Sequence, residues 1–110
     1  MKRVVVTGMG AITPLGNDVD AFFDALVAGR SGVKRLEGPG TERLSNRIAA
    51  PVSFDPQPLF DAAKLRMLDR VSQFALAAAA QAVKQSGISF DDSDRSRCGV
   101  CVGTGMAQPW

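Results

Sequence analysis

The sequence predicts an α/β fold, and three observations carry the prediction. A continuous β-branched run, Val4, Val5 and Val6, ends abruptly in Gly8, Gly10, Pro14 and Gly16. Two later segments repeat apolar residues at the three-and-four spacing of helices, and a second apolar run, Cys98 to Thr104, again closes on glycines. Short uninterrupted apolar runs read as strands covered on both faces, the pattern of sheets flanked by helices.

The first element is therefore a buried strand at Val4 to Val6 running into a shaped turn. Gly8 and Gly10 permit positive φ or close backbone approach, and Pro14 fixes its own φ and biases Thr13 towards extended geometry. From Asn17 the period changes: Asn17 or Asp18 caps a helix, Asp20 suits its first turn, and Val19, Phe22, Phe23, Leu26 and Val27 mark one apolar face. Gly29 is placed to stop it. Residues 30–47, with Gly32, Gly38, Pro39 and Gly40, read as an irregular surface segment. A short edge strand over Ile48 to Val52 follows, interrupted by Pro51. Phe54 to Pro58 is a turn, and Leu59 to Met67 contains one or two helical turns.

The clearest helix is predicted from Asp69 to Gln85, with Val71, Phe74, Ala75, Ala78, Ala79, Ala82 and Val83 as a broad apolar stripe and Ser86-Gly87 as the stop. Ala77 to Ala80 leave little side-chain bulk, so the helix can approach a neighbour closely. A polar loop over 88–97 leads to the strand predicted at Cys98 to Thr104.

Composition excludes several classes. With 110 residues, 45% hydrophobic and 22% charged, the chain is globular and not disordered. A net charge of +2, with Lys and Arg scattered, gives no nucleic-acid or membrane-surface patch. No export signal is evident after Lys2-Arg3, and the nearly uncharged stretch from Val71 to Val83 is too short and polar to span a bilayer, so a cytoplasmic location is expected.

Two cofactor readings match poorly on spacing. Gly8-Met9-Gly10 begins like a dinucleotide fingerprint, but Thr13 stands where a third glycine or alanine belongs, and Pro14 interrupts the phosphate-binding helix. Asp24 is the acidic candidate further on, yet it falls within a helical pattern. Cys98 and Cys101 have redox or metal spacing, but in a strand they face opposite sides, and zinc would need two further ligands in a sequence without histidine. Small buried hydrophobes are the expectation for both cysteines; no metal or cofactor site is expected.

Strand, helix, long excursion, helix, strand is a βα…αβ order whose default is parallel pairing with a right-handed crossover. Two strands and a short edge strand cannot form a doubly covered sheet without exposing apolar edges that invite further strands. On these grounds the sequence reads as the opening section of a larger α/β enzyme.

The same residues resemble a known family. Val4-Val-Val-Thr-Gly-Met-Gly10, Thr13-Pro-Leu-Gly-Asn17 and Leu26-Val-Ala-Gly-Arg-Ser-Gly32 are similar to the start of β-ketoacyl-acyl-carrier-protein synthases of the KAS I/II type. Met67-Leu-Asp69, Gln81-Ala-Val-Lys-Gln-Ser-Gly87 and Gly99-Val-Cys-Val-Gly-Thr-Gly105 continue the likeness in order and spacing. It runs from Lys2 to about Met106; Ala107 to Trp110 depart from it.

The resemblance implies a thiolase-like α/β fold, of which residues 1–110 form the first part of the N-terminal half, an incomplete mixed sheet with covering helices. It implies decarboxylative condensation of a cysteine-held acyl group with malonyl-acyl carrier protein, in fatty-acid or polyketide synthesis. Family members use a nucleophilic cysteine and two histidines, none assignable here, so no catalytic residue is expected in this chain and the chain alone should be inactive. Neither Cys98 nor Cys101 aligns with the nucleophile. The implied partners are acyl carrier protein, acyl and malonyl thioesters and, for the complete enzyme, a second copy; nucleic acid and membrane are not among them. By position, Met106 matches an apolar residue at the bottom of the acyl pocket, and Lys64, Arg66 and Arg70 match basic residues that meet the carrier protein, Arg66 aligning best. Two other readings remain open: a non-catalytic truncated paralogue or interaction fragment, and, with less support, a nucleotide-binding α/β domain.

Overall fold

A computed structural model describes residues 1–91 and 95–105. The chain divides into two compact units, one formed by Met1–Gly10 with the residues from Pro56 onward, the other by Ala11–Asp55. In chain order the elements are helix α1 (Val19–Val27), strand β1 (Lys34–Arg35), a 3-10 turn (Thr41–Arg43), strand β2 (Ile48–Ala49), helix α2 (Ala62–Met67) and helix α3 (Arg70–Ser86).

In the second unit, Thr13-Pro14-Leu15-Gly16 closes as a tight turn. Thr13 and Gly16 exchange backbone bonds of 2.9 and 3.2 Å, and the Thr13 hydroxyl accepts from the N–H groups of Leu15 at 3.2 Å and Gly16 at 3.0 Å. Pro14 supplies the preset φ at the first central position. Asp18 resolves the choice of cap: its carboxylate accepts from the Ala21 N–H at 2.7 Å and starts α1. The helix ends where Gly29 turns left-handed at φ 73°. There the N–H groups of Gly29 and Arg30 reach back to the carbonyls of Leu26 and Ala25 at 3.1 and 3.0 Å, which satisfies two orphan acceptors of the last turn. Ala25, 0% exposed, is the centre of this unit.

β1 and β2 form an antiparallel pair in the register Lys34↔Ala49 and Arg35↔Ile48, extended by the Leu36 N–H to the Arg47 carbonyl. The segment expected to be irregular thus contains a short strand. Two charged residues carry no strand signal of their own, and the pairing comes from the partner. β2 stops at Ala49 and not at Val52, two residues short of Pro51, which has no N–H to continue a ladder.

In the first unit, Asp61 caps α2 through the Lys64 N–H at 2.8 Å, and Asp69 caps α3 through the Ser72 N–H at 2.8 Å. Leu68 is extended, with ψ 127°, and separates the two helices. α3 ends at Gly87, φ 69°. Its buried residues are Gln73 and Ala77; Ala79 and Val83, assigned to the apolar stripe from sequence, are exposed.

The two predicted buried strands differ most from expectation. Val4 is 92% exposed and Val100 is 93% exposed, and among the described residues neither run pairs with another strand. The expected parallel crossover is replaced by the β1–β2 pair as the sheet found among the described residues. Strand burial needs an edge partner and a covering layer, and within the described residues no segment supplies either to these runs. Cys98 and Cys101 are correspondingly exposed and not disulfide-bonded, which corrects the expectation that both are buried. No helix among the described residues is long and apolar enough to cross a membrane.

Candidate functional site

The glycine turn after Val4 to Val6 is seated directly on α3. A Cβ built on Gly8 would overlap the Ala82 carbonyl and come within 3.0 Å of the Ser86 nitrogen, and one on Gly10 would overlap the Ala78 carbonyl and come within 3.0 Å of the Gln81 Cβ. Neither glycine has positive φ; close approach is what they provide. The alanines of α3 make the same approach possible from the other side, since any larger side chain at 78 or 82 would hold the two backbones apart.

The spacing explains why both glycines fit. Two residues of extended chain advance about 6.6 Å and four residues of helix about 6 Å. A chain running antiparallel to α3 therefore meets it once per turn at every second residue, as Gly8 does at Ala82 and Gly10 at Ala78. Between them the Met9 N–H donates to the Gln85 Oε1 at 2.6 Å. The glycine pattern was legible in the sequence, whereas Gln85 was not, because nothing local distinguishes a glutamine that holds a remote backbone from one in water.

The basic residues singled out from the sequence lie on α2 and at the start of α3. Lys64 and Arg66 are exposed, and among the described residues their side chains make no hydrogen bond or ion pair. They are two positions apart on a helix and so do not share a face. Arg70, half-buried, is different: its guanidinium carbon lies 4.9 Å from the centroid of the Phe74 ring, within reach of a cation–π contact. The sequence reading missed Phe74 in this role, although the four-residue spacing could have signalled it. The adjacent Asp69 carboxyl is held below its ordinary range, chiefly by hydrogen bonds from the Ser72 side chain and backbone, and stays ionised beside Arg70.

Gln73 is a second unforeseen polar residue. It is 8% exposed, its amide nitrogen donates to the Leu68 carbonyl at 3.3 Å, and its Oε1 has no partner among the described residues. In the other unit, Thr13 to Asn17 and Ser53 line a shallow depression of about 300 Å³, with the Asn17 amide donating to the Ser53 carbonyl at 2.6 Å. Met106, expected at the acyl pocket, lies outside the described residues. Among the described residues no group of three or more His, Cys, Asp or Glu side chains is placed to hold a metal ion.

A family model described as the β-ketoacyl synthase N-terminal domain matches residues 1–109. The chain belongs to the β-ketoacyl synthase family. Among curated relatives, this β-ketoacyl synthase chain is 40% identical over 111 residues to 3-oxoacyl-[acyl-carrier-protein] synthase 2 of Coxiella burnetii, covering 99% of the chain and 27% of that protein. It is 38% identical to the protein of the same name from Vibrio cholerae, covering 96% of the chain and 26% of that protein. The chain thus spans about a quarter of the length of these relatives.

Solved structures give the same family. A β-ketoacyl synthase from Burkholderia phymatum matches with a TM-score of 0.67 and 37% identity, over 87% of this chain and 24% of that one. The ishigamide ketosynthase/chain length factor matches with a TM-score of 0.66 and 33% identity, over 80% of this chain and 22% of that one. The expected fold class, α/β of the thiolase-like type, is therefore the fold of this β-ketoacyl synthase chain, although among the described residues the runs Val4 to Val6 and Cys98 to Thr104 form no strand.

Proposed function

We propose that the chain acts as the N-terminal section of a 3-oxoacyl-[acyl-carrier-protein] synthase, an acyltransferase that condenses an acyl thioester with malonyl-acyl carrier protein with loss of carbon dioxide. The observation that carries this reading is the 40% identity to a synthase of that name across 99% of the chain. The chain's contribution is scaffold, carrier-protein contacts at Lys64, Arg66 and Arg70, and an acyl-pocket residue at Met106, which directly follows Gly103-Thr104-Gly105.

The catalytic side chains are supplied from outside these 110 residues. Decarboxylative condensation needs a thiolate to take the acyl group, donors to stabilise the developing enolate and N–H groups for the thioester oxyanion. The sequence has no histidine, and among the described residues neither cysteine stands at the N-terminus of a helix. The complete enzyme works in the cytoplasm as a homodimer on acyl and malonyl thioesters.

Intact-mass measurement after incubation with acyl-acyl carrier protein, followed by a condensation assay with malonyl-acyl carrier protein, tests this division of labour. The chain alone should keep its 11.6 kDa mass without an acyl adduct and release no 3-oxoacyl product. An acyl adduct on Cys98 or Cys101 together with product would overturn it.

A further inference from the structure

Gln73 stands where an apolar side chain is the ordinary choice. It is 8% exposed, one helical turn from the other buried residue of α3, Ala77, and its Oε1 has no hydrogen-bond partner among the described residues. Turning the amide over would set that oxygen against the Leu68 carbonyl, two acceptors face to face, so the single bond to Leu68 fixes its orientation. A neutral bond as long as 3.3 Å returns no more stability than a buried orphan acceptor costs. What the residue contributes is therefore geometry.

The bond acts on the elbow between α2 and α3. Leu68 follows α2 with φ −98° and ψ 127°, and its N–H donates to the Lys64 carbonyl at 2.9 Å, which ties the preceding peptide plane to α2. Asp69 is tied to α3 at two points. Its carboxylate accepts from the Ser72 N–H at 2.8 Å and its carbonyl from the Gln73 N–H at 3.0 Å. The φ of Asp69, −75°, would still be a swivel, and the Gln73 side chain closes it by fastening the Leu68 carbonyl to α3.

We propose that Gln73 is a positioning residue for α2: its side chain confines the bend between the two helices to the backbone angles of Leu68 alone. α2, six residues long and too short to be stable by itself, is thereby held in one orientation on α3. An apolar side chain of similar volume would keep the packing and free the elbow. The inference is independent of what α2 meets.

Pulsed electron paramagnetic resonance between nitroxides at Ala63→Cys on α2 and Ala80→Cys on α3, both exposed positions, reads the elbow directly. Cys98→Ser and Cys101→Ser remove the two native thiols, which would otherwise take the label. With Gln73 in place the labelled chain should give one narrow distance. Gln73→Met should broaden that distribution while the urea midpoint stays unchanged or rises, since the orphan acceptor is removed together with the bond. An equally narrow distance in Gln73→Met, or a broad one with Gln73 present, would overturn the proposal. So would a Gln73→Met chain that unfolds at lower urea or fails to fold, because Gln73 would then serve stability and not orientation.

Discussion

The Met9 backbone N–H donates to the Gln85 side chain at 2.6 Å across 76 residues of sequence, and the glycines on either side of Met9 lie against the carbonyls of Ala78 and Ala82. One helix thereby fixes the end of the N-terminal run by two kinds of contact, a hydrogen bond to a side chain and backbone packing without side chains. Substituting Gly10 or Gly8 with Ala should destabilise the chain by roughly 1–3 kcal/mol, since the new methyl meets backbone that cannot rotate away. Gln85→Ala removes only the bond and should cost less, about 1 kcal/mol. Urea unfolding of the three variants checks the order; an innocuous Gly10→Ala would contradict the packing.

The α1 cap offers a simpler case. Asp18→Ala removes the acceptor for the Ala21 N–H and should cost about 1 kcal/mol, while Asp18→Asn, which caps equally well, should cost little. Equal losses in both variants, measured by thermal unfolding, would place the cap elsewhere.

Asp69 predicts a pH dependence. Its pKa is lowered by the Ser72 hydrogen bonds, so the folded state binds its proton less readily than the unfolded chain. The stabilisation is present above the unfolded carboxylate value, about 3.9, and is lost as pH falls through the depressed folded value. Asp69→Asn should keep the cap and lose this acid-side dependence; Asp69→Ala should lose both. An unaltered acid limb in Asp69→Asn, followed by the α3 helical signal, would remove the assignment.

The thiols give a direct check on the carboxy-terminal run. Cys98 and Cys101 are exposed and should both react with a maleimide in the native chain as fast as in urea. Protection of either would show that something covers this segment.

What the sequence revealed follows from how local each signal is. α1 and α3 were legible with their stops at Gly29 and Gly87, because caps and periodicity lie within one helix. The strands at Val4 to Val6 and Cys98 to Thr104 were read from composition alone, yet a strand exists only within a sheet, and among the described residues neither run is part of one. The error over cysteine burial descends from the same step. Lys34–Arg35 failed in the opposite direction, being a strand without strand composition. At the candidate site, Lys64, Arg66 and Arg70 stood out as charges, while Gln85 and Gln73 owe their roles to neighbours distant in sequence or to burial.

The seat of Gly8 and Gly10 on α3 also bears on insertions and deletions. Sliding the N-terminal run by a single position would bring Thr7 and Met9 onto the two helix carbonyls, and neither side chain fits there. The run has one notch on this helix, so length changes near it must be taken up elsewhere in the chain.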